Sequence, residues 1–443
     1  EKRNTNVNLF VKPSAEPNLF GLCRGEKRNT NVNLFVKPSA IEFTRIAEAG
    51  KRRTKFNDTM KRIWMTTFLS LTLCASACGG RARANDNPPQ EKTANPKVYL
   101  TRTITPEALV RIYEALGREA TGRVAVKLST GEPGGHHFLQ PALVAPLVRK
   151  VGGTIVECNT AYGGGRARTA DHLKAAADHG FTAIAAVDIM DAEGETALPV
   201  EGGRHLAEDY VGKNFLNYDF TVVLSHFKGH AMGGFGGAIK NLAMGCAPQA
   251  GKIDQHGRNV VIYPKCIGCG QCVPLCPRNA LSLEKGEKGR HAVIDKERCI
   301  GCYECVTACK QGAIGVDTPN EYSDFAERMA EYAYGAVKGK EGRICYLNFL
   351  LNVTPQCDCA GWSEPAIVPD LGILASEDPV ALDTACFDLV KEAHSLIPLG
   401  EHGAHSCGYD KFSALHPNTR GWHQVEYAES IGMGSRDYEL ITV

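Results

Sequence analysis

From residue 97 onwards, short apolar runs alternate with longer segments whose apolar positions recur every three or four residues. The short runs are typical of buried strands, and the longer segments have the spacing of amphipathic helices. This alternation predicts parallel βαβ units, and therefore an α/β fold with a mostly parallel sheet and flanking helices. The predicted strands are 97–102, 123–129, 153–159, 182–190, 219–227 and 343–351, and the predicted helices are 106–118, 141–151, 167–179, 322–337 and 379–393.

The α/β pattern is interrupted between residues 259 and 318. We therefore expect a body in two parts, 96–258 and 319–443, with a small α+β insert at 259–318. The insert contains CIGCGQCVPLCP, which begins at Cys266, and CIGCYECVTACK, which begins at Cys299. Each run spaces four cysteines as C-x-x-C-x-x-C-x-x-x-C.

This doubled spacing is typical of a two-cluster bacterial ferredoxin, in which the fourth cysteine of each run ligates the other cluster. Lys310 stands where the pattern expects a second proline, a change that should alter the local turn more than the ligation. Two zinc sites or disulfides are the alternatives, since paired C-x-x-C also binds zinc. The predicted ligands are Cys266, Cys269, Cys272 and Cys309 for one [4Fe-4S] cluster, and Cys299, Cys302, Cys305 and Cys276 for the other.

The front of the chain carries an unbroken duplication, because EKRNTNVNLFVKPSA occurs at 1–15 and again at 26–40. A structural repeat would drift outside its hydrophobic positions, so an identical copy indicates a recent duplication of sequence. We exclude this leader, 1–59, from the fold prediction and regard Met60 as a candidate start.

Residues 60–78 combine a basic start, a short apolar run and small residues before Cys78, which is the layout of a secretory or lipoprotein signal. A disordered leader is the alternative, and a polar linker follows at 79–95. Two locations stay open: the cytoplasm, or export with membrane attachment through a lipidated Cys78. Because iron-sulfur clusters are normally inserted in the cytoplasm, export would require folded transport or unusual assembly.

Composition narrows the class of partner. The 443 residues carry a formal net charge of +1, so no global field attracts a nucleic acid and we expect no such partner. Of the 18 cysteines, eight are the predicted ligands and ten remain. So many additional thiols favour a reducing environment.

Candidate chemistry concentrates after the strand at 219–227, where basic residues meet a glycine run that opens a helix. Glycines before a helix let backbone amides face an anion, and the carboxyl edge of a parallel sheet is the usual ligand crevice. We predict a phosphate, carboxylate or enolate site there; a structural turn, or a metal pair formed by the two histidines, is the alternative. The predicted catalytic residues are His226, Lys228, His230 and Lys240, and the predicted cofactor-binding residues are Gly233, Gly234, Gly236, Gly237, Asn241 and Arg166.

Two further glycine-rich loops, at 131–138 and 159–168, follow predicted strands and should lie at the same edge. Arg166 and Arg168 are candidates to clamp an anion, and Glu132 and His137 are candidates to exchange protons. Solvated loops are the alternative for each of these residues.

Cys357 and Cys359 flank a single aspartate. Both thiols would face one side of an extended segment, so a redox pair, a metal ligand set, a covalent role and plain buried thiols all stay open. Asp378 precedes Pro379 and has the pattern of a helix start. The remaining, less specific candidates are Asp370, Asp383, His402, His405 and Cys407.

Several of these segments resemble the DUF362 family, in its subgroup with an inserted ferredoxin domain. The resemblance covers roughly residues 96–443 and is carried by SHFKGHAMGGFGGAIKNLAMG, ECNTAYGG, the CDC motif with IVPDLGILASEDPVALDTAC, and ESIGMGSRDYELI. It implies an α/β body with a 2[4Fe-4S] module. Because the family is named for lacking an assigned function, the resemblance indicates architecture more than activity.

Three functions are compatible with these patterns. The first is an iron-sulfur oxidoreductase, in which electrons reach a small anionic substrate or an additional cofactor in the crevice. The second is a non-enzymatic electron carrier or docking protein for a redox partner. The third is a metal or cluster maturation factor that uses Cys357 and Cys359. Loss of Lys240 should be tolerated by a carrier but not by an enzyme.

Overall fold

The computed structural model describes residues 94–162, 164–257, 260–286, 289–299, 301, 304–316 and 321–443. These residues belong to one compact unit, Ala94–Val443. The predicted leader, the signal-like segment with Cys78 and most of the predicted linker lie outside the described residues, as does the predicted ligand Cys302.

The body is organised around a sheet of short strands. In chain order, the strands of the described residues are β1 Lys97–Thr101, β2 Val124–Lys127, β3 Gly153–Glu157, β4 Val187–Ile189, β5 Glu195–Pro199, β6 Glu208–Gly212, β7 Phe220–His226, β8 Lys228–His230, β9 Gly234–Gly236, β10 Val260–Ile262, β11 Leu281–Gly286, β12 Gly289–Ile294, β13 Ile314–Val316, β14 Ile344–Leu350, β15 Gly372–Ser376 and β16 Glu439–Thr442.

Eight of these strands form one sheet in the order β16-β1-β15-β14-β7-β2-β3-β4. All neighbours pair in parallel except β15, which is antiparallel to both β1 and β14. The α/β fold with a mostly parallel sheet is therefore as predicted. Its carboxyl edge gathers the loops that follow β2, β3, β7 and β14.

Helices cover both faces of this sheet. They are α1 Pro106–Ala115, α2 Pro141–Lys150, α3 Thr169–Asp178, α4 Ala238–Cys246, α5 Gln249–His256, α6 Glu304–Ala308, α7 Glu321–Val337, α8 Pro379–Glu392, α9 Lys411–Leu415 and α10 His423–Ser430. Side chains alternate across a strand, so Val222 packs in the apolar cluster with α1 and α2, and Val223 packs in the cluster with α4, α7 and α8. Among the described helices, none combines the length and apolar content that crossing a membrane requires.

Local capping explains where two helices begin. The Thr105 side chain accepts a hydrogen bond from the Ala108 amide at 3.2 Å, immediately before Pro106. Asp378 accepts from the amides of Val380 and Ala381 at 2.8 and 2.9 Å. Asp378 is therefore the N-cap of α8, as its position before a proline predicts.

The insert lies between α5 and α7 in the chain. Its first and last strands, β10 and β13, pair antiparallel, and β11 and β12 form a hairpin between them. The short helix α6 lies within the second cysteine run. This arrangement is the small α+β unit expected from the sequence.

One predicted strand is shorter than expected, and a strand in the interior of the sheet lies outside the prediction. The segment 182–190 is a strand only at β4, because Phe181–Ala183 forms a 3-10 turn whose Phe181 ring is buried beside Phe138. The strand β15 was not predicted, although it is fully buried between two partners.

Candidate functional site

The carboxyl ends of β2, β3, β7 and β14 converge on a cavity of about 270 Å³. Parallel sheets place their ligands at this edge. All three predicted glycine-rich loops reach the same side of the sheet. Of the predicted catalytic and cofactor-binding residues, those that line the cavity are His226, Lys228, His230, Lys240, Gly236, Gly237, Asn241 and Arg166.

Asp358, the residue between the two cysteines of the CDC motif, is held from two sides. His226 Nδ1 lies 3.0 Å from its Oδ1, and Lys228 Nζ lies 2.6 Å from its Oδ2. Burial alone raises the pKa of Asp358, but His226 and Lys228 overcome this and hold it below its ordinary value. The other His226 nitrogen, Nε2, lies 2.8 Å from the Leu351 carbonyl oxygen. The predicted catalytic residues His226 and Lys228 thus fix the position of this loop.

Cys357 and Cys359 form a disulfide that lines the cavity beside His230. A ring nitrogen of His230 and both sulfur atoms lie within 4.8 Å of one another. His230 Nδ1 accepts a hydrogen bond from the Gly233 amide at 2.9 Å. Burial and, next, Lys240 lower the pKa of His230 well below its ordinary value. The imidazole is therefore neutral, with its proton on Nε2.

Lys240 is a half-buried residue in the first turn of α4. Within the described chain it has neither a hydrogen-bond partner nor an ion-pair partner, and its stem passes along Gly236, where an added Cβ would lie 2.5 Å from Lys240 Cδ. Burial, followed by repulsion from Lys228, lowers the pKa of Lys240 to about 7. An amine with this pKa can both donate and accept a proton near neutral pH.

Lys127 and Lys252 add positive charge to the cavity wall. Lys127 Nζ donates to Asn241 Oδ1 at 2.8 Å, and Asn241 donates in turn to the Leu224 carbonyl at 2.9 Å. Lys252 Nζ donates to the Ala247 carbonyl at 2.5 Å. The predicted cofactor-binding residue Asn241 therefore orients Lys127.

Arg166 is buried, and carboxylates within the protein already neutralise its positive charge. Its guanidinium pairs with Glu132 at 3.0 Å and with Glu157 at 2.8 Å. Glu157 also accepts from His172 at 3.1 Å. This network joins the loops after β2 and β3, so Arg166 supports the cavity wall and its charge is not free to clamp an anion. Arg168 is exposed and pairs with its neighbour Asp171.

The glycine run does not leave the start of α4 open to a ligand, contrary to the prediction. The amides of Ala238 and Ile239 donate to the Asp383 carboxylate at 2.7 and 3.0 Å. Gly237 permits this approach, because an added Cβ would lie 2.2 Å from Asp383 Oδ1. The predicted cofactor-binding residues Gly233 and Gly234 are not among the described residues that line the cavity. Gly234 instead packs against the Gly421 backbone at a φ of +71°.

Matching hydrogen bonds occur in the two cysteine runs of the insert. Cys276 Sγ accepts from the Ala280 amide at 3.1 Å, and Cys309 Sγ accepts from the Ala313 amide at 3.2 Å. Both bonds join the fourth cysteine of a run to the residue four positions later. The two halves therefore orient these sulfurs in the same way.

The thiol of Cys309, although it belongs to the second run, acts electrostatically on Cys272 of the first run. Burial raises the pKa of Cys272, and the neighbouring thiols of Cys266, Cys269 and Cys309 raise it further. No three of these four described sulfurs lie within 4.8 Å of one another. A single tetrahedral zinc would bring its sulfurs to about 3.8 Å, given Zn–S bonds of about 2.3 Å.

Glu304 joins the insert to the cavity. It lies in α6, one residue before Cys305, and it lines the cavity together with Lys240. Burial raises the pKa of Glu304, and nearby Glu132 raises it further. The second cysteine run therefore forms part of the cavity wall.

Other predicted candidates lie elsewhere. Asp370 accepts from the Asn352 amide at 2.8 Å and stabilises a turn. His402 stacks on Tyr409, and neither His402 nor His405 belongs to a metal-compatible group in the part of the chain that is described. His137 does not line the main cavity.

Several cavity residues lie outside the sequence prediction, although the sequence does carry a signal for Lys127 and Glu304. Lys127 is a charged residue at the end of an otherwise apolar strand, which requires a buried partner. Glu304 lies between predicted cluster ligands. Asp358 was visible only as the spacer of the CDC motif.

The chain matches the model of a family described as "Domain of unknown function (DUF362)" over residues 124–388. This range is more than half of the sequence. The protein belongs to the DUF362 family. The matched range of this DUF362 protein contains the cavity strands, the insert and the CDC motif. No curated protein matches the chain.

Solved structures show only distant likeness to the DUF362 chain. The lactate racemase apoprotein from Thermoanaerobacterium thermosaccharolyticum is 13% identical, with a TM-score of 0.27; the match covers 57% of this chain and 50% of that one. A protein from Thermotoga maritima is 13% identical, with a TM-score of 0.30 and coverage of 62% and 55%. The chain thus spans about half the length of these structures.

Proposed function

We propose that this DUF362 protein is an iron-sulfur redox enzyme, with two [4Fe-4S] clusters in the insert and a small anionic substrate or cofactor in the cavity. When bound, the clusters would supply single-electron transfer. The observation that carries the proposal is the position of Glu304, which belongs to the second cysteine run and lines the cavity with Lys240. Electrons held at the insert would therefore have a short route to a ligand in the cavity.

The described cysteines fit cluster ligation. The electrostatic effect of Cys309 on Cys272 supports the crossover assignment, and the finding that no three of the described sulfurs lie within 4.8 Å of one another favours a cubane over one zinc ion. In a cubane each thiolate binds a different iron, so its sulfurs lie further apart than around a single ion. The amide of Ala292 donates to Cys266 Sγ at 3.3 Å, a hydrogen bond of the kind that would help to set the potential of a bound cluster.

The charge of the cavity supports an anionic ligand. Its described lining contains five cationic side chains and three carboxylates. When Glu132, the other partner of Arg166, is also counted, a formal excess of one positive charge remains before any histidine is counted. Low-dielectric walls strengthen this attraction. The cations are Lys127, Arg166, Lys228, Lys240 and Lys252, and the carboxylates are Glu157, Glu304 and Asp358.

Proton transfer to such a ligand would fall to Lys240 and His230. Lys240 is the unpaired amine with a pKa of about 7, and His230 presents a neutral imidazole that can donate from Nε2. Lys228 and His226 are engaged with Asp358, so their role is to hold the loop.

The exposed residues of the first cysteine run support entry of electrons from a protein partner. Cys269 is exposed, and the large apolar side chains of Ile267 and Leu275 nearby in the sequence are 64% and 45% exposed. Exposed apolar side chains beside a redox centre suit transient docking. A simple electron carrier would show the same feature, so the cavity decides between the two functions.

Anaerobic purification of wild-type protein and of Lys240→Met, with a matched Lys285→Met control at an exposed lysine of the insert hairpin, tests the enzyme proposal. Each sample is measured for iron, for EPR signals after reduction, and for small molecules released on denaturation. We expect equal iron in all three and a released anion only from wild type and the control. Full iron with no released ligand in any sample, and the same EPR signals on reduction in Lys240→Met as in wild type, would favour a carrier.

A further inference from the structure

The disulfide between Cys357 and Cys359 lies in the cavity wall, within a setting that suits redox chemistry. Cys357 is 7% exposed, and both cysteines line the cavity. Their loop is held at two points, because Asp358 pairs with Lys228 and the Asp358 carbonyl accepts from the Glu132 amide at 2.8 Å. The sulfurs are thus kept at a fixed position beside the cationic groups.

Cations near a cysteine favour its thiolate, which is the reactive form. Lys228 and Lys240 line the same cavity, and a His230 nitrogen lies within 4.8 Å of both sulfurs. A neutral imidazole with its proton on Nε2 can donate a hydrogen bond to a thiolate. The disulfide therefore has groups nearby that can stabilise its reduced form.

We propose that Cys357 and Cys359 are a redox-active pair that takes up two electrons and two protons in the cavity. The S–S bond breaks, each sulfur gains one electron and one proton, and two thiols form; reoxidation returns both electrons and both protons to the bound acceptor. A one-electron donor must act twice, and the two proposed clusters each supply one electron. In this respect the inference rests on the proposed function.

The hydrogen bonds of His230 argue against a metal ion at the same three residues. A metal-bound imidazole normally donates a hydrogen bond through its other nitrogen. His230 Nδ1 instead accepts from the amides of Gly233 and Met232, at 2.9 and 3.3 Å. Nδ1 cannot be the metal ligand, because its lone pair already accepts these hydrogen bonds. If Nε2 were the ligand, Nδ1 would carry the proton, and its N–H would then point at the N–H groups of Gly233 and Met232.

A reductive titration of the full chain tests the pair. Wild type, Cys357→Ser and Cys359→Ser are titrated anaerobically with a chemical reductant, and Cys386→Ala, which removes a buried thiol of α8 outside the cavity, is the matched control. We expect wild type and Cys386→Ala to accept about two more electrons per chain than either serine variant. Alkylation of Cys357 and Cys359, followed by peptide mass spectrometry, should appear only after this uptake.

Equal electron uptake in all four proteins, or full alkylation of Cys357 and Cys359 before any reductant is added, would overturn the inference. If a serine variant does not fold, alkylation of the wild type before and after reduction still shows whether Cys357 and Cys359 form a reducible disulfide. Iron content and EPR of the same samples report on the clusters separately. Samples without iron would contradict the proposed function. The difference of about two electrons between wild type and the serine variants would still report on the disulfide.

Discussion

Lys228 Nζ lies 2.6 Å from Asp358 Oδ2, and this ion pair joins β8 to the loop that carries Cys357 and Cys359. The two partners are 10% and 6% exposed at their side chains, so water does little to screen them. The pair links residues 130 positions apart in the sequence. It therefore sets the distance between the basic segment after β7 and the cysteine pair.

Replacing Asp358 by asparagine should destabilise the protein by about 3 kcal/mol, because Lys228 and His226 would lose their buried negative partner. The matched control is Asp171→Asn, whose partner Arg168 is 82% exposed. Removing that exposed pair should cost no more than about 1 kcal/mol. Urea unfolding followed by circular dichroism measures both, and equal shifts of the two midpoints would contradict the buried role of Asp358.

Gly237→Ala should destabilise the start of α4 by about 2 kcal/mol, because the new methyl group would displace Asp383 from the amides it accepts. Gly403→Ala is the control, since that exposed glycine has no atom nearer than 4.0 Å to an added Cβ. The control should change the unfolding free energy by less than about 0.5 kcal/mol. A Gly237→Ala protein as stable as the control would show that Asp383 is not needed at this helix.

Much of this architecture follows from local pattern. The helices α1 and α8, with their caps and prolines, and the strands β2, β3 and β7 have signals within their own residues. The strand β15 has none, since five small and apolar residues after Pro-Asp-Leu become a strand only by pairing with β1 and β14. Pairing over such separations is not encoded in periodicity.

In the candidate site, too, some features follow from the local sequence and others depend on residues far away in the chain. The basic segment and the CDC motif indicated chemistry because charged residues and cysteines stood out at strand ends. The occupation of the α4 amides by Asp383 could not be foreseen, because that carboxylate lies 145 residues away in the sequence. Likewise, Arg166 suggested an anion clamp, whereas the fold supplies Glu132 and Glu157 as its partners.

Lys240 should react with amine reagents at unusually low pH. Its pKa of about 7 leaves about half of the amine neutral at that pH, whereas an ordinary lysine, with a pKa near 10.4, is neutral in about one molecule in 2500. The rate of reductive methylation at Lys240 should therefore rise through pH 7 and level off above about pH 8. Peptide mass spectrometry gives the rate, with exposed Lys310 as the internal reference. Parallel pH profiles for the two lysines would show that the cavity does not lower the pKa of Lys240.

Pairs of cysteine variants distinguish the crossover from simple ligation by each run. If Cys269 and Cys309 bind the same cluster, the double variant with serine at both should lose about four irons, no more than either single variant. Serine at Cys269 and Cys276 should instead remove both clusters and about eight irons. The opposite ranking would assign Cys276 to the first cluster. Iron analysis after anaerobic purification provides the comparison.

The most direct test of the central claim, that the insert holds two [4Fe-4S] clusters beside the cavity, is to count metals and sulfide in the anaerobically purified chain. We predict about eight irons and eight sulfides per chain, with EPR signals that appear on reduction. Zinc in place of iron, with no sulfide and no EPR signal, would contradict the account, because zinc has no redox chemistry to pass to the cavity.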